Sequence, residues 1–179
     1  MKPSCGGCWG CERRYNFHMR SAFFFRRIVL LALLSAASAE SAELPPATDL
    51  AAAGNVAAGR QVPIVLFYSA DYCLRCEAVK AEFLGFMAVD EAYRERALFR
   101  EIRTDSGATL VGFDNRPTTH DHFARQRNIR LVPTLEFVDD HGRVLAEPLV
   151  GATIPDYYAA YVNRGIDRAL LQLRQGSAR

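Results

Sequence analysis

The chain has 179 residues, half of them hydrophobic and 23 % charged, which gives room for one ordinary globular domain with one core. Its net charge of +2 mixes a basic leader with an acidic body: residues 40–179 hold 16 Lys and Arg against 19 Asp and Glu, a net −3. That balance, with no basic run in the body, argues against a nucleic-acid partner.

Met19-Arg20-Ser21-Ala22-Phe23-Phe24-Phe25-Arg26-Arg27 is a basic start, and the apolar run from Ile28 to Leu34 leads into Ala37-Ser38-Ala39. This is the pattern of a secretory signal peptide over residues 19–39, cleaved near Ala39. The run is too short to span a bilayer, so the mature form is expected not to cross one. Arg26-Arg27 fits general secretion better than twin-arginine export, because the run is so apolar. Residues 1–18 precede a complete leader and read as an upstream, mis-assigned start. Their Cys5, Cys8 and Cys11 resemble part of an iron–sulfur or zinc ligand set, but a fourth ligand is missing. Two cysteines, spaced C-x2-C, and no Trp remain in the mature chain.

Residues 40–48, with Pro45-Pro46, read as a flexible lead-in, and residues 49–179 as the folded domain. Asp49 to Gly59 is Ala-rich and predicts a first helix. Val62 to Tyr68 is an unbroken apolar run, the mark of a strand buried on both faces. From Cys73 onward Leu74, Ala78, Val79, Phe83, Phe86 and Met87 recur at helical spacing. A second helical stretch, Asp90 to Arg96, leads to a half-buried strand at Ala97 to Arg103, completing a crossover unit. Asp105 to Thr119 is expected to be a loop, and His120 to Asn128 a helix with Thr118 or Thr119 as its N-cap. Thr134 to Val138 and Arg143 to Val150 flank Asp139-Asp140-His141-Gly142, a hairpin signal. Ile154 to Leu173 predicts a last helix marked by Tyr157, Tyr158, Tyr161, Ile166, Leu170, Leu171 and Leu173. No repeat or second domain is visible.

A C-x2-C pair between a buried strand and a helix start has a chemical purpose. Free N–H groups and the helix dipole favour negative charge there, so Cys73 would be stabilised as the thiolate nucleophile. Cys76, one turn later, would resolve the mixed disulfide, and Arg75 would lower the Cys73 pKa further. Ile64-Val65-Leu66-Phe67-Tyr68-Ser69-Ala70-Asp71-Tyr72-Cys73-Leu74-Arg75-Cys76 resembles the active-site strand and loop of thioredoxins. Asn128-Ile129-Arg130-Leu131-Val132-Pro133-Thr134-Leu135-Glu136-Phe137 resembles their cis-proline segment, and the order of later elements follows the family over residues 50–175.

The resemblance implies an α/β thioredoxin fold, a central mixed sheet flanked by helices. It also implies a cis Val132-Pro133 bond against the cysteines, where an extended substrate segment pairs with the Val132 backbone. Three departures stand out. Tyr72 replaces the usual Trp, Leu74-Arg75 replaces Gly-Pro and so retunes the potential, and Phe67 replaces a buried acid that serves proton transfer. Glu77, Glu82 and Glu136 are candidate substitutes, though each is more often a solvated charge.

The expected function is an exported, periplasmic thiol–disulfide oxidoreductase that reduces protein disulfides and is recharged by a membrane thiol donor, with no cofactor. A dithiol oxidase is the alternative, motivated by Arg75 and Val132. A non-catalytic binding or metal-handling module is the third. His120, His122 and His141 are read as surface residues rather than metal ligands, and Tyr157, Tyr158 and Tyr161 as core and rim.

Overall fold

The computed structural model describes residues 43–152 and 157–177. The expectations for residues 1–42 (upstream start, leader and its three cysteines) lie outside the described residues, as do residues 154–156 of the last helical stretch.

Helix α1 (Leu50–Arg60) opens on Asp49, whose Oδ1 accepts the Ala52 N–H at 2.7 Å, and closes at Gln61 in the left-handed region. Strand β1 (Ile64–Ser69) is buried at all six positions, as its apolar run requires. Helix α2 (Leu74–Val79) starts at Cys73, passes through a single π-helical turn (Lys80–Leu84) and continues as α3 (Gly85–Val89). Asp90 caps the short α4 (Glu91–Arg94), and β2 (Leu98–Arg103) follows. Strands β3 (Thr109–Val111) and β4 (Pro117–Thr119) form a small hairpin that runs into α5 (His120–Gln126). Strands β5 (Thr134–Val138) and β6 (Val144–Val150) precede the long α6 (Tyr158–Ser177).

The main sheet has the order β2-β1-β5-β6. β1 and β2 are parallel, while β5 runs antiparallel to both β1 and β6. Alternation along β1 divides the core: Val65 and Phe67 face a cluster with Cys76, Val79, Leu84, Tyr158, Val162 and Ile166, whereas Ile64, Leu66 and Tyr68 face α1 and α5. This is the thioredoxin-type arrangement, a mixed sheet between two helical layers.

Four expectations change. The lead-in is not free from residue 44 on: Leu44 and Ala47 are fully buried, and Pro45 and Ala47 exchange hydrogen bonds with Glu101 of β2 at 2.8 Å each. The unpaired edge of β2 takes up this segment, so tertiary pairing overrides its turn-like composition. The expected loop at 105–119 holds the β3–β4 hairpin, tied by Val111 N–H to the Thr48 carbonyl at 3.0 Å. Thr119 does cap α5 by position, but its hydroxyl bonds Asp121 rather than a backbone N–H. Tyr157, just ahead of α6, and Leu171 on it are exposed, and the inward stripe of α6 is Tyr158, Val162, Ile166 and Ala169 at helical spacing.

Candidate redox site

The turn between β1 and α2 sets up the site. Cys73 N–H bonds the Ala70 carbonyl at 3.0 Å, and Cys73 then occupies the N-cap of α2. Its Sγ accepts the Cys76 N–H at 3.1 Å, so a helix-terminal donor points at the sulfur. The two cysteines are joined as a disulfide with Cα atoms 5.2 Å apart. Cys73 is half-buried and Cys76 fully buried, an asymmetry that leaves one sulfur approachable from outside.

Antiparallel pairing of β1 with β5 places Tyr68 opposite Thr134, so the residues just before β5 lie at the sheet end that carries the cysteines. The Val132–Pro133 peptide there is cis. Cys73 and Val132 pack against the same core cluster. The Val132 main chain forms no hydrogen bond among the described residues, while Gly151 N–H bonds the Pro133 carbonyl at 2.8 Å. Around this end Tyr72, Leu74, Leu131 and Val150 are all more than half exposed, Leu74 at 86 %.

Arg75 is not merely a free charge beside the cysteines. Its Nη1 donates to the Ala152 carbonyl at 2.9 Å. A groove of about 450 Å³ lies beside it, lined among others by Leu74, Phe83 and Tyr158. A cavity of about 910 Å³ elsewhere, between the β3–β4 hairpin and α5, contains no cysteine.

The candidate substitutes for the missing acid separate clearly. Glu77 and Glu82 are exposed. Glu136 is no solvated charge: it is buried on the opposite face of the sheet, accepting from Tyr68 Oη and Arg127 Nε at 2.6 Å each. The residue missed in the sequence is Glu101. It is buried, sits in register with Phe67, and shares the sheet face of Phe99 on which α2 packs. Ser69 Oγ donates to it at 2.6 Å and Lys80 Nζ at 3.2 Å. Burial opposes the Lys80 charge, but bonds and charge from Glu77 and Glu101 outweigh it and hold the Lys80 pKa above the ordinary lysine value. An acid at an alternate position of a strand, facing inward among Phe99 and its neighbours, was the available signal.

His120 also departs from expectation. It is buried, its Nδ1 accepts the Arg103 N–H at 3.1 Å, and burial holds its pKa below 6.5. His122 and His141 are exposed, as expected.

The sequence matches the model of the thioredoxin-like domain over residues 50–166, and the chain belongs to that family. Solved structures similar to it include mitochondrial thioredoxin 3 from Saccharomyces cerevisiae in its oxidised form (17 % identity, 69 % of this chain and 93 % of that one, TM-score 0.46). A Schistosoma mansoni thioredoxin (19 %, 70 % and 97 %, 0.46) and the periplasmic thioredoxin SoxS from Paracoccus pantotrophus (18 %, 60 % and 98 %, 0.41) are similar too. No curated protein matches the sequence. Family membership and the C-x2-C pair together support thiol–disulfide redox chemistry.

Proposed function

We propose that this protein is an exported, periplasmic thiol–disulfide reductase acting on protein disulfides, with Cys73 as nucleophile and Cys76 as resolving cysteine. The observation that carries the reading is the asymmetric pair: a partly exposed Cys73 at a helix N-terminus, joined to a buried Cys76. In the dithiol form the Cys73 thiolate attacks one sulfur of the substrate disulfide. A mixed disulfide forms and the other substrate sulfur leaves as a thiolate, which takes up a proton. Cys76 loses its proton and attacks Cys73 Sγ, closing the Cys73–Cys76 disulfide and expelling the second substrate thiolate. The substrate gains two electrons and two protons in all. A membrane-held dithiol returns them to the pair.

Two further roles belong to this reading. Val132, with its unpaired main chain, and Pro133 receive an extended substrate segment by strand addition, with Tyr72 and Leu74 supplying apolar contact. Glu101, the buried carboxylate on the α2 face, takes the Cys76 proton in the resolving step, its charge balanced by Lys80. Glu101→Gln is expected to slow mixed-disulfide resolution, with the first attack by Cys73 unchanged. Equal slowing of both steps at every pH would reduce Glu101 to a structural residue.

Direction is decided by the equilibrium with glutathione: a potential near about −270 mV fits a reductase and one near about −120 mV an oxidase. Cys73→Ser is expected to abolish insulin reduction. Cys76→Ser should trap substrate as a covalent adduct on Cys73, visible by mass spectrometry. Insulin reduction that survives Cys73→Ser would overturn the mechanism.

A further inference from the structure

Arg75 stands between the two cysteines, in the first turn of α2, and its side chain crosses to the chain that follows β6. The bond from its Nη1 to the Ala152 carbonyl, 2.9 Å, lands one residue past Gly151. Gly151 in turn donates its N–H to the Pro133 carbonyl at 2.8 Å, with φ at +78°, a conformation glycine adopts without strain. A continuous path therefore runs from the cysteine motif through Arg75, Ala152 and Gly151 to Pro133. Ala152 is buried, and a hydrogen bond from a charged guanidinium is stronger than a neutral one.

The position of this path matters more than its length. Val150, Leu131, Tyr72 and Leu74 are exposed apolar side chains at this end of the sheet, and the Val132 main chain forms no hydrogen bond among the described residues. A polypeptide strand entering there needs the segment from Val150 to Ala152 held at a fixed separation from α2. Among the described residues, the Arg75 bond to Ala152 is the side-chain hydrogen bond that links them.

We propose that Arg75 is a positioning residue that braces the cysteine motif against Val150–Ala152, and so sets the affinity for polypeptide disulfides, in place of the lowering of the Cys73 pKa expected from its charge, because its guanidinium is turned to the Ala152 carbonyl. The inference rests on the thiol–disulfide exchange reading above and deepens it. A small disulfide that touches only Cys73 does not use the brace. An extended polypeptide does.

The test compares the parent protein with Arg75→Gln and Arg75→Lys on two substrates, insulin and bis(hydroxyethyl) disulfide. For Arg75→Gln the KM for insulin should rise about tenfold with kcat changed less than about twofold, the loss of one charged hydrogen bond. The rate with bis(hydroxyethyl) disulfide and the thiolate titration of Cys73 should stay as in the parent. Arg75→Lys, which keeps one donor in reach, should recover part of the insulin KM. In the disulfide form, amide exchange at Gly151 should speed up about tenfold in Arg75→Gln, a readout that needs no activity. An unchanged insulin KM with unchanged Gly151 exchange overturns the brace. So does an equal loss on both substrates with a shifted Cys73 titration, which would make Arg75 a charge acting on the thiolate. A parent inactive on both substrates would instead sink the exchange reading itself, while the Gly151 measurement still judges the brace.

Discussion

His120, Glu136 and Glu101 are the residues whose environment differs most from what their letters imply. Burial is the largest influence on His120; the nearby Arg103 charge adds to it, and together they outweigh the bond to Ala47 that favours the charged ring. Its folded pKa is thus below the unfolded 6.5, and the unfolded chain binds more protons between the two values. The His120 contribution to stability is fully present above pH 6.5, is lost as pH falls through the folded pKa, and then levels. His120→Gln should flatten that slope in urea denaturation curves taken from neutral to acid pH. Glu136 presents a different balance. Its carboxylate is held by Arg127, itself largely buried, and by Tyr68, whose hydroxyl is pushed well above its ordinary pKa by burial and then by the Glu136 charge. Arg127→Leu leaves that buried carboxylate without its cation, held by Tyr68 alone, and should cost about 3 to 5 kcal/mol, measurable by chemical denaturation. Replacing Glu136 and Arg127 together by apolar residues should cost much less than Arg127→Leu alone.

Among the elements, α6 and the segment before α1 are held by close fit. Gly165 lies where the Phe137 ring of β5 presses on α6, and a Cβ there would overlap the ring. Gly165→Ala should therefore destabilise by about 1 to 3 kcal/mol, the reverse of the gain expected when glycine in an exposed helix becomes alanine. Leu44 belongs to the core cluster that holds Cys76 and Phe67, although it lies ahead of every named element. Leu44→Ala should cost about 2 to 5 kcal/mol in the same denaturation assay. A loss under 0.5 kcal/mol, about the ordinary surface effect, would show that the segment is not part of the core.

At the level of the whole molecule, the redox state of one bond is linked to the stability of everything around it. A pair with a low potential is one whose folded protein favours the disulfide, so a reductase should melt lower once Cys73 and Cys76 are reduced. An oxidase should melt higher when reduced, because its fold stabilises the dithiol. Calorimetry of the two redox forms thus reads direction independently of any substrate. Among the described residues no helix is long and apolar enough to cross a membrane, and electron supply in the proposed scheme comes from a separate membrane-held dithiol.

What the sequence determined by itself was local. The apolar run of β1, the helix beginning at Cys73, the Asp139–Gly142 turn and the C-x2-C spacing each depend on neighbours within a few residues, where periodicity and turn chemistry act. The structure keeps all four. What only the tertiary structure decided was which distant groups meet. Pro45 and Ala47 pair with the edge of β2, Glu101 rather than Glu77, Glu82 or Glu136 is the carboxylate beneath α2, and Arg75 reaches Ala152. Only the inward place of Glu101, two residues after Phe99, shows in local spacing; the contacts themselves do not, because each joins residues far apart in the chain and depends on strand order and on which face of the sheet a side chain takes.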